Sequence, residues 1–288
     1  MKKIINLLVL IVVSNVAYSA TVYDTLHINK VSYQIGGVFG YTFQACVFNS
    51  SEVFNVQNEI IEINEGDILE LHIINHDTLN HTFTIDNVVE SNNVILPFDG
   101  ANDFTLSFNS IGAYRFYSDV FYGKHLGASS LIMYGYEDYP RYYWNMFEQS
   151  DTLSNEIAAL TTTEIPFDYQ PDIFTINMKV HPDLENDPRA KIIQNVGDTI
   201  YIVVANSGKM LHVLHFHGYH VEIIDASLTP MYNGWIKDSF PIVQGEVVLV
   251  RLVPHQEGIY PVHEHNLINI TTNGVYPGGM LNLIEIQP

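Results

Sequence analysis

Short runs rich in Val, Ile, Phe and Tyr alternate with Gly, Asn and Asp breaks along most of the chain. The first of them are Lys30–Tyr33, Tyr41–Val47, Ile60–Ile63, Ile68–Ile74, Thr82–Ile85 and Phe104–Phe108. Their lengths and spacing predict the strands of an all-β sandwich. Gly66-Asp67, between Ile63 and Ile68, reads as a tight turn. Ala113–Tyr117 and Ser130–Tyr136 add two strands, so a first domain, residues 21–138, ends near Glu137–Pro140. Tyr142–Phe147 opens a second domain, residues 139–288. The polar stretch 150–170 holds either a short helix at Ser154–Leu160 or an inter-domain loop. Strand patterning then resumes at Ile173–Met178, Ile192–Ile193, Thr199–Val204, His212–His217, His220–Ile224, Val247–Val253, Gly258–Val262 and Met280–Ile286.

The two halves share phrases. IIEINEGDILELHIIN at residues 60–75 resembles IIQNVGDTIYIVVAN at 192–206, and each precedes a histidine-bearing strand. Gly112-Ala-Tyr-Arg-Phe-Tyr parallels Gly258-Ile-Tyr-Pro-Val-His. An internal repeat of this kind predicts two copies of one β-sandwich.

Histidine is concentrated in the second copy. Six of the 13 lie in two short stretches, LHVLHFHGYHVEII at 211–224 and YPVHEHN at 260–266. Alternation along a strand puts His215 and His217 on one face, and His263 and His265 on one face with Glu264 opposed. Two such strands side by side would gather four imidazoles, the commonest protein ligands of copper and zinc. His212 has the opposite parity, so a turn or bulge must intervene for it to join them. His220, beyond Gly218, reads as a supporting residue. His76, His81 and His125 are candidates for a small site in the first domain. Tyr139–Trp144 is expected to seal the domain junction.

Composition narrows the class. Apolar residues make up 47% and charged residues 15%, as in a well-cored globular protein. A net charge of −20 argues against nucleic acid as a partner. Lys2 and Lys3, the apolar run Ile4–Val13 and the small residues Ala17, Ser19 and Ala20 predict an export signal at residues 1–20. That run is too short to span a membrane, which takes about 20 residues. The mature chain is therefore expected in the periplasm or outside the cell. Cys46, the single cysteine, can form no internal disulfide. Its setting FQACVF suits a buried core residue; with no histidine on the same stretch, a copper thiolate there is not expected.

His212-x-x-His215-x-His217-Gly218, His263-Glu-His265 and the trailing Gly279-Met280 together resemble the motifs of the multicopper oxidase family. Asp172-Ile-Phe-Thr-Ile-Asn and Lys237-Asp238 before Val247–Leu252 resemble neighbouring family strands. The resemblance spans roughly residues 30–288 and is strongest from 172 onward. It implies two Greek-key, cupredoxin-like β-sandwich domains that bind copper and use dioxygen and a small reducing substrate. It matches His215, His217, His263 and His265 to ligands of the trinuclear cluster, His212 and His81 to type 1 histidines, and Met280 to the neighbourhood of the axial residue. Glu264 stands where the type 1 cysteine belongs, Asn269 near the place of the further type 1 histidine. Asp86, Tyr117 and Asp119 replace histidines of the first domain. One chain then supplies two of the four His-x-His pairs, and a homo-oligomer could pool them only if the domain faces met.

Three functions follow as expectations. One is a copper-dependent oxidoreductase without a blue site. The second is a copper-sequestering or delivery protein using the same four histidines. The third is a vestigial binding module. Zinc is the alternative metal.

Overall fold

A period-two alternation of buried and outward side chains sets the strands. In Ile68–Asn75, Leu69, Leu71 and Ile73 are fully buried while Glu70 and His72 turn outward. Each such buried Leu or Ile contributes about 1.5–3 kcal/mol. The computed structural model describes residues 19–35 and 41–288. Apart from Ser19 and Ala20, the predicted export signal lies outside the described residues. Among the described residues no helix is long and apolar enough to cross a membrane.

The strands form two β-sandwiches. In the first, one sheet runs in the order Tyr41–Asn49, Thr21–Ile35, Ile68–Asn75, Gly100–Leu106. The facing sheet runs Ile61–Ile63, Ser129–Tyr134, Gly112–Tyr117, Thr84–Ile85. In the second sandwich a six-stranded sheet runs Ile173–Ile176, Arg141–Gln149, Ile200–Asn206, Val247–Leu252, Val221–Ala226, Ile236–Lys237. Its partner runs Ile192–Asn195, Leu281–Gln287, Gly258–Glu264, His212–Phe216, Ser239–Ile242.

The repeat read from the sequence is a repeat of topology. Thr21–Ile35 runs parallel to Ile68–Asn75, as Arg141–Gln149 does to Ile200–Asn206. Ser129–Tyr134 runs parallel to Ile61–Ile63, as Leu281–Gln287 does to Ile192–Asn195. The matched turns each need a left-handed residue, supplied by Gly66 (φ +89°) and Gly197 (φ +88°).

The ambiguous stretch after residue 150 is a helix, Asp151–Ala158. Ser150 caps it by accepting the Leu153 N–H at 3.4 Å. Leu153 and Ile157, one turn apart, bury into the core of the first sandwich, so this helix ties the second half of the chain back to the first domain. A separate apolar cluster joins the sandwiches: Leu131 and Met133 of the first meet Tyr143, Val203, Ala205 and Leu249 of the six-stranded sheet. Glu62 anchors its edge, accepting from Arg141 at 2.7 Å, Arg189 at 2.9 Å and the Tyr143 hydroxyl at 2.7 Å. The six-stranded sheet thus faces the first domain, and among the described residues the outer face of the five-stranded sheet is open, with Ile193 and Ile259 exposed on it.

Candidate metal centre

That free face carries the histidines. Strands His212–Phe216 and Gly258–Glu264 are antiparallel neighbours, with His215 directly opposite His263. Leu214, Phe216 and Val262 point into the core of the second sandwich, so parity turns His215, His217 and His263 outward. Their rings converge: the His215 centroid lies 4.7 Å from His217, 5.6 Å from His263 and 5.8 Å from His265. His217 Nε2 and His263 Nε2 face each other at 2.9 Å. Gly218 ends the strand at φ +75°, and a side chain there would collide with the Tyr260 ring. This explains the glycine directly after His217.

Neighbouring groups fix the rings. His263 Nδ1 lies 2.8 Å from the Glu264 carbonyl, which can only accept; the proton therefore sits on Nδ1 and Nε2 keeps its lone pair. His215 Nδ1 is tethered to Ser239 Oγ at 2.7 Å, from the residue paired with it on the adjoining strand. Desolvation, followed by the neighbouring His215 and His263, lowers the pKa of His217 and favours its neutral, ligating form.

The His217–His263 pair fits a metal ion. Two imidazoles at right angles on one ion, with metal–nitrogen bonds of about 2.05 Å, hold their nitrogens about 2.9 Å apart. The separation between His217 and His263 matches that. Orientation of the ligand ring through its other nitrogen is what metal-binding histidines ordinarily show.

His212 is not part of this group. Its strand is regular, without the turn or bulge that convergence required, so the side chain points inward. It is fully buried, with Nε2 3.0 Å from Glu148 Oε2 and Nδ1 unpartnered. Glu264 is buried at 2% exposure, which rules out a solvated carboxylate. Its oxygens accept the Val213 N–H at 2.8 Å and the Asn266 N–H at 2.7 Å. Burial raises its carboxyl above the usual range, against the opposing pull of those N–H groups, His212 and Asn269. The Asn269 amide is buried and has no partner in hydrogen-bonding geometry. Met280 is fully buried; its N–H donates to the Asn269 carbonyl at 2.9 Å and its carbonyl accepts from the Glu264 N–H at 3.1 Å. Four residues aligned with a type 1 site thus belong to one buried region beneath the histidine face.

In the first domain the predicted trio does not assemble. His76 stacks on His27 and bonds Asp99 at 2.6 Å, while His125 packs against Phe121. His81 is buried between Ser118 Oγ and Asp77 Oδ2, both at 3.0 Å. Cys46 is buried as expected; its own stretch carries no histidine, but His81, from a distant part of the chain, places Nε2 3.7 Å from its sulfur. The residue comes from a strand far along the chain, which local sequence cannot reveal. Thr84 pairs with Tyr117 as His215 pairs with His263. There the Tyr117 hydroxyl donates to Asp86 at 2.8 Å, and Arg115 stacks 4.1 Å over the Tyr117 ring.

Sequence reading passed over Ser239, Glu148 and Asp77. Ser239 and Glu148 lie within strands, beside no histidine in sequence. Only Asp77, adjoining the singled-out His76, offered a local signal.

The two duplicated sandwiches define a two-domain, all-β, cupredoxin-like fold, with paired His-x-His strands on one face of the second domain. Residues 161–277, which include all four clustered histidines, match the family described as Multicopper oxidase. That match lies within the second sandwich and does not reach the first. No curated protein matches the chain. Among solved structures it is similar to a blue copper oxidase from Nitrosomonas europaea, at 20% identity and TM-score 0.76, covering 93% of this chain and 86% of that one. It is also similar to a copper nitrite reductase from Nitrosomonas europaea, at 17% identity and TM-score 0.69, covering 93% and 94%. A laccase from Botrytis aclada is 14% identical with TM-score 0.69, and only 53% of its length is covered.

Proposed function

We propose that this is an exported copper-binding oxidoreductase of the multicopper oxidase type, periplasmic or secreted, without a blue type 1 site. His215, His217, His263 and His265 hold the copper. The observation that carries this reading is the pairing of His215 with His263, with His217 Nε2 and His263 Nε2 2.9 Å apart on the free sheet face.

Bound copper supplies one-electron chemistry toward a small oxidant such as dioxygen and a small reducing substrate. The chain's own residues orient the imidazoles. Ser239 holds His215 by Nδ1, and the Glu264 carbonyl holds the His263 proton away from the ligating nitrogen. His217 and His265 are exposed, so the site is open to small reactants. At the type 1 position, Glu264 is committed to two backbone N–H groups and Cys46 lies in the other domain. No thiolate route leads from there to the histidines, and no intense blue band is expected.

Copper analysis with paramagnetic resonance tests the site. Wild type should bind copper tightly through nitrogen ligands, and His215→Ala with His263→Ala should abolish that binding; unchanged stoichiometry would overturn the assignment. The openness of the face also favours a second reading, copper sequestration or delivery without turnover. Oxygen uptake with a phenolic or cuprous donor separates the two: uptake that is lost with the double variant marks an oxidase, and tight copper without uptake marks a carrier.

A further inference from the structure

The first domain buries a second constellation that the histidine face does not use. Cys46 comes from the strand Tyr41–Asn49, Asp77 from the loop after Ile68–Asn75, and His81 from the two-residue strand that follows. Cys46 Sγ lies 3.7 Å from His81 Nε2, His81 Nε2 lies 3.0 Å from Asp77 Oδ2, and the three donor atoms are mutually within 4.8 Å. Cys46 and His81 are fully buried and Asp77 is 5% exposed. We propose that Cys46, His81 and Asp77 form a buried zinc site in the first domain, independent of the four histidines of the second.

The spacing fits the ion. A tetrahedral zinc with bonds of about 2.3 Å to sulfur and about 2.0–2.1 Å to nitrogen and oxygen holds its donors about 3.3–3.6 Å apart. The sulfur–nitrogen separation of 3.7 Å and the nitrogen–oxygen separation of 3.0 Å lie within a few tenths of an ångström of that range, and the sulfur lies within 4.8 Å of the carboxylate. Two of the ligands are also oriented from behind. His81 Nδ1 is engaged by Ser118 Oγ at 3.0 Å, leaving Nε2 directed at the sulfur and the carboxylate. The other Asp77 oxygen accepts the Thr78 N–H at 2.6 Å and lies 3.9 Å from Lys30 Nζ. Such partners behind the ligands are the usual support of a metal site.

The donor types select the metal. One thiolate, one imidazole and one carboxylate make a mixed set that suits tetrahedral zinc, with a fourth position left for a small ligand such as water. Alone, a thiol is a weak hydrogen-bonding partner for a buried imidazole and carboxylate. An ion would join three chain segments into one unit. Because the ligands are buried, the ion must enter during folding or through local opening.

Cobalt(II) reports on such a site, since a thiolate ligand gives it a charge-transfer band in the near ultraviolet. The full chain is refolded from denaturant with Co2+. The band should appear in wild type and in the variant with His215, His217, His263 and His265 all changed to Ala. It should vanish in Cys46→Ser and in His81→Gln, with folding checked by circular dichroism. A band that survives Cys46→Ser, or none in wild type, overturns the site. X-ray absorption of the zinc-refolded wild type needs no variant: one sulfur at about 2.3 Å is expected, and its absence also overturns the proposal. Loss of copper binding at the histidine face would leave these readouts unchanged, so the two sites fail separately.

Discussion

Changing Ser239 to Ala tests the histidine face without touching a ligand. The hydroxyl lies 2.7 Å from His215 Nδ1 and is donated by the strand paired with that of His215. Its removal leaves the ring without a tether. A hydrogen bond of this kind is worth about 0.5–1.5 kcal/mol, and loss of an orienting partner of a metal ligand typically costs 10–100-fold in affinity. The expected change is therefore about 1.4–2.7 kcal/mol, or 10–100-fold weaker copper binding. Ser239→Thr keeps the hydroxyl and should stay within a few-fold of wild type. Competition titration against a copper chelator measures both, with circular dichroism as the check on folding. If Ser239→Ala binds within twofold of wild type while His215→Ala loses copper, the tether does not prepare the ring. If neither variant changes binding, the copper is elsewhere.

Other consequences concern the framework. Glu148 is buried and accepts from Lys209 N–H at 2.5 Å, Met210 N–H at 2.8 Å and His212 at 3.0 Å; Glu148→Ala strands three donors and should cost about 3–6 kcal/mol by urea unfolding, with Glu148→Gln costing much less. A Cβ on Gly208 would sit 1.7 Å from Glu148 Oε2, so Gly208→Ala should displace that carboxylate and lower the melting temperature. Burial, then Lys124 and Lys209, lowers the His125 pKa from 6.5 to about 4. The folded state therefore takes up this proton at a lower pH than the unfolded chain. The stability it contributes is full above pH 6.5 and is lost as the pH falls to about 4, amounting to about 3 kcal/mol. In denaturation at pH 7 and pH 4, His125→Gln should lose about that much less stability than wild type.

The fold was legible because period-two patterning and the repeated phrases survive in both halves. Leu69, Leu71 and Ile73 alternate cleanly with outward residues, and IIEINEGDILELHIIN against IIQNVGDTIYIVVAN exposes the duplication. The convergence of His215, His217 and His263 was legible for the same reason, since alternation alone fixes their face. What the sequence hid was pairing across distance. Ser239 reaches His215 because two strands whose contacting residues are 24 positions apart lie side by side. Cys46 reaches His81 across 35 residues, which no local window contains. The partners of Glu264 were hidden in another way. Its charge suggests a solvated side chain, yet the backbone N–H groups of Val213 and Asn266 supply the partners that make burial tolerable.

Comparing equivalent strand pairs shows why the chemistry of the two domains could diverge without altering the fold. Thr84 opposite Tyr117 and His215 opposite His263 occupy the same place in the two sandwiches. The inward residues beside them, Phe83, Ile85 and Phe116 in one and Leu214, Phe216 and Val262 in the other, are all buried and carry the core. The alternate positions differ in cover: Thr84 and Tyr117 are buried in the first domain, whereas His217 and His265 are exposed in the second. In the first domain they hold a Tyr117–Asp86 hydrogen bond beneath Arg115; in the second, four imidazoles. Replacing all four histidines with Ala removes the bonds of His215 to Ser239 and of His263 to the Glu264 carbonyl, together with the mutual contact of His217 and His263. At about 1 kcal/mol each, that loss totals about 3 kcal/mol, at the lower end of the cost of truncating a single buried Phe216, about 3–5 kcal/mol. Removing all four imidazoles together is therefore expected to cost no more stability than one core truncation, which urea unfolding of the fourfold variant checks.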